Sequence, residues 1–215
     1  MFSQEDHILV AVSGGKDSLT LWDILNKLGY HVDGLYIGLG IDEGIHYSDE
    51  SLCMATHFAQ YRNLHLVAVD VPSQYGESIP QMAQRTQRGR KKTCSVCGLS
   101  KLHIINRIAR EGDYDILSTG HNLDDVSATL FGITINWLED YLLKIIPVLD
   151  TVPGLTRKVK PLVRFSEREM AAYTLIQGIE YIQLECPFSI NASSIQYKTI
   201  LNQLEYNSPG TKQYF

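Results

Sequence analysis

The stretch Val10-Ala11-Val12-Ser13-Gly14-Gly15-Lys16-Asp17-Ser18 constrains this chain more than any other. It follows an apolar run, His7 to Val12, that predicts a buried strand. It precedes Leu19, Leu21, Trp22, Leu25 and Leu28, which are spaced along one face of a helix. A strand, a tight Gly-Gly turn and a helix start together make an anion site. Glycines let backbone N–H groups approach a phosphate, and the helix N-terminus adds partial positive charge. The pattern is not a Walker A loop, which requires Ser or Thr after its lysine, where this chain has Asp17. For a lone Gly-Gly pair a capped turn without a ligand is the simpler reading. The whole hexapeptide between strand and helix favours a phosphate.

The hexapeptide Ser13 to Ser18 resembles the PP-loop of the ATP pyrophosphatases. The resemblance implies ATP, cleaved between its α and β phosphates, and adenylation of a substrate oxygen. It leaves the second substrate open.

With 215 residues the chain has room for one sizeable core, and a single catalytic domain over 1–215 is expected. No apolar run is long enough to span a bilayer, and Met1-Phe2-Ser3-Gln4-Glu5-Asp6 has no basic, signal-like start. A cytoplasmic protein with no membrane partner is expected. The net charge of −5 does not advertise nucleic acid, but the basic residues are unevenly placed. Four cysteines, Cys53, Cys94, Cys97 and Cys186, point in a cytosolic chain to a metal or redox site rather than a disulfide framework.

Gly29 is suited to end the first helix. Strands are expected at Val32–Ile37 and Leu64–Val69, with a helix between them capped by Ser48, running to about Arg62 and burying Leu52, Ala55, Phe58 and Ala59. This alternation predicts an α/β fold with a doubly wound, parallel, five-stranded sheet. Ligands in such sheets bind beyond the strands' C-terminal ends. Ala11 and Ile37 therefore share a rim with the glycine loop. A fourth strand, Asp115–Thr119, ends there in Gly120-His121-Asn122-Leu123-Asp124-Asp125. Asn122 or Asp124 can cap the next helix; alternatively one carboxylate holds Mg²⁺ against phosphates, with Asp17 as the second ligand. Pro147, Pro153, Gly154 and Pro161 mark a long irregular connection containing Arg157, Lys158 and Lys160. Ser166 and Glu169 form a capping box for a helix closed by Gly178, and Glu180–Leu184 is the expected fifth strand. A last helix is expected from about Ser193 to Leu204.

A basic run, Arg85, Arg88, Arg90, Lys91 and Lys92, immediately precedes Cys94-Ser95-Val96-Cys97 and is weighed towards phosphate-backbone contact over a merely solvated segment. Two thiols at this spacing serve a metal, a cluster, a redox disulfide or packing. With Cys186 as a third, an iron–sulfur cluster fits better than structural zinc. Lys101 lies four residues after Cys97 on the same helical face. Cys53, mid-helix among apolar neighbours, reads as a buried packing residue.

Taken together, Ser-Gly-Gly-Lys-Asp-Ser, Cys-Ser-Val-Cys-Gly with Lys101, Gly-His-Asn-Leu-Asp-Asp, Glu185-Cys186-Pro187 and Pro209-Gly210-Thr211-Lys212 resemble, in this order, the tRNA 2-thiouridine synthetases, and next to them the 2-thiocytidine synthetases. The resemblance spans His7 to about Lys212. It implies an adenine nucleotide α-hydrolase-like fold and ATP-dependent replacement of a pyrimidine C2 oxygen in tRNA by sulfur. It implies Cys94, Cys97 and Cys186 as ligands of a 4Fe-4S cluster, Lys101 as catalytic, and Asp17 and Asp125 at the ATP–Mg²⁺ site. Ser13, Gly14, Gly15, Lys16, Asp17 and Ser18 would cradle the pyrophosphate, with Ala11, Ile37 and Gly120 beside the nucleotide. A ubiquitin-like thiocarboxylate carrier or inorganic sulfide is the implied donor, and a homodimer the implied assembly. Another PP-loop ligase with structural zinc at the cysteines is the alternative. The sequence departs from the family in carrying no further Cys-x-x-Cys pairs, which form zinc ribbons in typical members, and in Val126, where many members have an acid.

Overall fold

Strand β1 (His7–Val12) is the middle of the molecule because its side chains find apolar cover on both sheet faces. Ile8, Val10 and Val12 point to one layer, with Leu19, Trp22 and Leu25 of helix α1 (Lys16–Lys27) and Phe58 of α2 (Tyr47–Arg62). Leu9 points to the other, with Leu35 of β2 (His31–Gly38) and Ile104 and Ala109 further along the chain. The computed structural model describes residues 1–42, 44–189 and 192–215; the side chains of Arg88 and Lys91, within the basic run, lie outside the described residues.

After β3 (Leu66–Asp70) come three short helices, α3 (Val71–Tyr75), α4 (Ile79–Arg85) and α5 (Gln87–Lys91), and then the long α6 (Thr93–Glu111). Ser78 and Gln81 close a capping box at the start of α4. Strand β4 (Ile116–Thr119) pairs with β1 and leads into α7 (Leu123–Ile135). Strands β5 (Val148–Leu149) and β6 (Arg157–Val159) follow, then α8 (Glu167–Gln177), α9 (Ser193–Asn207) and α10 (Thr211–Tyr214). The sheet order is β3-β2-β1-β4-β6-β5, parallel except for the β5–β6 pair. The chain steps from β1 outward in one direction through β2 and β3, then in the other through β4. That change of direction opens a crevice at the C-terminal ends of β1 and β4.

The five parallel strands match the expected fold class, but the fifth is not the expected one. Residues 180–184 form no strand. Gly178 leaves α8 with φ of +60°, and the following segment crosses the glycine loop, where the Ile182 amide donates to the Gly14 carbonyl at 2.9 Å. The place beside β4 belongs to Arg157–Val159, which the flanking prolines and charges had disguised as irregular. Three smaller expectations also change. Ser48 does not cap α2; its hydroxyl accepts from the Ile41 amide at 2.9 Å, and His46 occupies the N-cap position with φ of +50° and no side-chain cap bond. Leu52 is exposed. Cys53 is exposed rather than packed inside.

Candidate active site

The glycine loop is shaped by two close approaches. Gly14 has φ of +74°, and a Cβ there would lie 2.4 Å from the Ser51 carbonyl oxygen. A Cβ on Gly120 would lie 2.9 Å from the Asp17 carbonyl, so the end of β4 can press against the start of α1 only through glycine. Within the loop the Ser18 hydroxyl accepts from the Ser13 amide at 3.1 Å and donates to the Gly15 carbonyl at 2.9 Å. No side chain caps α1. Its first-turn amides therefore face the crevice, as an anion site requires.

A cavity of about 500 Å³ opens beside the loop, between the sheet and α6. Ala11, Ser13, Asp17, Ser18, Ile37, Lys101, Gly120 and Asp125 all line it, so these expected site residues meet on one rim. Gly14, Gly15 and Lys16 stand behind this wall, in the loop itself. The Asp17 Oδ1 atom is buried and has no hydrogen-bond partner. Burial, joined by the repulsion of Asp125 and Glu167, pushes its carboxyl upward against Lys16 and Asn122. A buried, half-partnered carboxylate beside a second carboxylate is a donor set that suits Mg²⁺. Asp125 also closes the capping box with Asn122, accepting its amide at 3.1 Å and donating its own to Asn122 Oδ1 at 3.0 Å. The capping reading of this motif therefore holds, with Asn122 as the cap, and it leaves Asp125 on the cavity wall. Asp124, by contrast, turns inward to the buried ammonium of Lys212 and leaves the crevice.

Two charged side chains were missed. Glu167 Oε1 accepts from the Lys16 ammonium at 2.6 Å, and Lys198 Nζ reaches Asp125 Oδ1 at 2.7 Å and Glu167 Oε2 at 3.3 Å. Glu167 looked only like the first turn of a capped helix, and nothing local marks Lys198; their role depends on contacts across more than 150 and 70 residues of chain respectively. His121 lines the cavity with Nδ1 2.9 Å from the Thr119 hydroxyl. Burial and then Lys158 push its pKa down to about 4, so it is neutral at pH 7 and acts as a hydrogen-bonding group.

The thiols gather at the α6 side. Cys94 and Cys97 occupy the first turn and a half of α6, rather than a loop ahead of it. Cys97, Cys186, Tyr47 and Phe188 pack on the same core face. The Cys94 thiol donates to the Phe188 carbonyl at 3.1 Å, and Ser189 holds the Cys186 carbonyl through its amide and its hydroxyl. Burial raises the Cys97 thiol, with Cys186 and Cys94 adding to it and Lys101 opposing. As they stand, no three His, Cys, Asp or Glu side chains among the described residues are arranged around a metal position. Three neighbouring soft donors beside a lysine nevertheless suit an iron–sulfur cluster with one open iron. In the basic run, Arg85 pairs with Glu77 and Arg90 donates to the Gln84 carbonyl at 2.8 Å.

No family model matches the chain. It is 49% identical over 210 residues to the tRNA-5-methyluridine(54) 2-sulfurtransferase of Thermus thermophilus, covering 98% of this chain and 64% of that protein. It is 38% identical over 211 residues to the enzyme of the same name from Thermotoga maritima, covering 98% and 68%. The U34-tRNA thiolase NcsA from Methanococcus maripaludis, solved with its [4Fe-4S] cluster, superimposes with a TM-score of 0.80 at 25% identity over 97% of this chain and 68% of that one. The chain thus spans about two thirds of the length of the relatives it matches.

Proposed function

The chain belongs to the tRNA 2-sulfurtransferase family, and on that footing we propose that it is an ATP-dependent tRNA sulfurtransferase formed by residues 1–215 as one catalytic domain. The proposed target is the 5-methyluridine at position 54, named for the relatives at 49% and 38% identity. The observation that carries the reading is the meeting of Asp17, Asp125 and Lys101 in one cavity, with Cys97 on the same helix as Lys101.

In the proposed reaction the pyrimidine C2 oxygen attacks the α-phosphorus of ATP and pyrophosphate leaves. Sulfide then adds at C2, and AMP departs with the original oxygen. Ser13 to Ser18 and the start of α1 hold the pyrophosphate, and Lys16 can turn from Glu167 towards it. Asp17 and Asp125 would hold Mg²⁺. Adenine lies over Ala11 and Ile37, beside Gly120. Lys101 faces the α-phosphoryl group and offsets its charge. Cys94, Cys97 and Cys186 would hold a 4Fe-4S cluster, which supplies a soft iron site for sulfide. The donor is a thiocarboxylate carrier or inorganic sulfide. The protein works in the cytoplasm as a homodimer, for which the exposed apolar stretch Ile135 to Ile146, with Trp137, Leu138 and Leu143, offers a face.

Anaerobic purification with metal and labile-sulfide analysis, followed by thiolation of tRNA with ATP and sulfide, tests this reading. Iron and sulfide near four each per chain and ATP-dependent 2-thiouridine are expected. Zinc without labile sulfide would overturn the cluster; ATP consumption without thiolation would overturn the substrate.

A further inference from the structure

One cation in the cavity has no role in the reaction as derived. Lys158 lies on β6 in register with Leu117 of β4, and its side chain lines the same cavity as Asp17, Asp125 and Lys101. Its neighbour Lys160 is held by the carbonyls of Lys144 and Ile146 at 3.2 and 3.3 Å. Lys158 has no hydrogen-bond or carboxylate partner among the described residues, and burial alone displaces its titration, downward. A half-buried ammonium facing a cavity is met by water or by an acceptor on a ligand.

Its place says what meets it. The cavity runs under α6 across four strands, from β2 through β1 and β4 to β6. At the usual strand spacing this is about 14 Å, longer than one base. The β2–β1 end, at Ile37 and Ala11, is the adenine end in the proposed function. The β4–β6 end carries Leu117 and Lys158, its cationic group, with neutral His121 nearby, and Leu102 and Ile105 line the cavity from α6. Aliphatic walls suit the faces of a planar ring, not a phosphate, which seeks arrays of N–H donors. An ammonium is a donor only, so the ring edge it meets must be an acceptor.

We propose that Lys158 reads the edge of the acceptor pyrimidine, donating to the C4 carbonyl of uracil and rejecting cytosine, whose C4 amino group is itself a donor. This rests on the proposed function and deepens it by naming a residue that selects the base. Two opposed donors leave both unpaired, so discrimination of about 100-fold is reasonable for a built polar contact.

The test compares wild type with Lys158→Met and Lys158→Gln, each checked for folding by melting temperature and for ATP binding by calorimetry. Binding of 5-methyluridine and 5-methylcytidine is followed by NMR titration with ATP and Mg²⁺ present, and thiolation is followed on tRNA carrying U or C at the target position. Wild type is expected to prefer uridine in both. Lys158→Met should weaken uridine about tenfold or more and bring the two bases within about threefold. ATP affinity should not change. Lys158→Gln, whose amide both donates and accepts, should admit cytidine. An unchanged uridine preference in Lys158→Met overturns the proposal, as does a wild type that binds neither nucleoside, or a loss confined to ATP affinity. A wild type that selects uridine through Lys158 yet thiolates no tRNA leaves the proposal standing and overturns the proposed reaction instead.

Discussion

The Ile182 amide donates to the Gly14 carbonyl at 2.9 Å, tying the segment that carries Cys186 to the anion loop. Gly14 is held from two sides, since the Ser51 carbonyl occupies the space a Cβ would need. Gly14→Ala must therefore move backbone on α2, adopt a left-handed conformation unsuited to alanine, and disturb the Cys186 segment at once. A loss of about 2 kcal/mol is expected, together with at least tenfold weaker ATP binding by calorimetry. An alanine variant that binds ATP like wild type would mean the loop has slack that this geometry denies.

Asp124 and Lys212 form a buried pair outside the cavity. Burial raises the Asp124 carboxyl, but bonds from Lys212 and the Glu167 amide outweigh it and leave it below its ordinary value of 3.8. The carboxylate therefore stabilises the fold above about pH 4, and the contribution fades as pH falls through the lowered value. Asp124→Asn removes the charge that offsets the buried Lys212 ammonium, leaving it neutral acceptors such as Asn202, and should cost about 3 kcal/mol at pH 7. Denaturant unfolding at pH 7 and pH 3 checks this. The gap between wild type and variant should shrink at pH 3; an equal gap at both would remove charge from the explanation.

The parts of the site that were readable are those whose meaning is local. Val10 to Ser18 is a strand end, a turn and a helix start within nine residues. Asn122 to Asp125 is a capping box at a strand end, and Cys97 and Lys101 share a face because four residues nearly complete a helical turn. What escaped depends on approaches between distant segments. β6 is only three residues long and rich in lysine and arginine, so no alternation marks it; it exists because β4 has an open edge. Residues 180–184 look like a strand but bond to a loop. Glu167 and Lys198 acquire significance only where α8 and α9 meet the site. Cys53 illustrates the converse: its α2 position is exposed although its neighbours are apolar, because Ala55, Phe58 and Ala59 define the inner face without it.

The cysteines should differ in reactivity. Cys53 and Cys94 are exposed, while burial and the neighbouring thiols raise Cys97 and keep it protonated at neutral pH. In anaerobic protein freed of metal, iodoacetamide at pH 7.5 should label Cys53 and Cys94 about tenfold faster than Cys97, followed by peptide mass spectrometry. After cluster reconstitution Cys53 should still react while Cys94, Cys97 and Cys186 are protected. Protection of Cys53 as well, or of none, would contradict the assigned ligand set.

The two tryptophans offer a built-in probe of assembly. Trp22 is fully buried under the sheet, whereas Trp137 is 82% exposed amid Ile135, Leu138 and Leu143. Monomeric protein should show two acrylamide-quenching components, one inaccessible and one accessible. If the Ile135–Ile146 stretch is the homodimer face, raising the protein concentration should protect the accessible component and shift its emission to shorter wavelength. Trp137→Glu combined with Leu143→Glu should then give a monomer by sedimentation, with a melting temperature within a few degrees of wild type at low concentration, because both side chains are exposed in the single chain. A dimer that survives this double substitution would place the interface on another face.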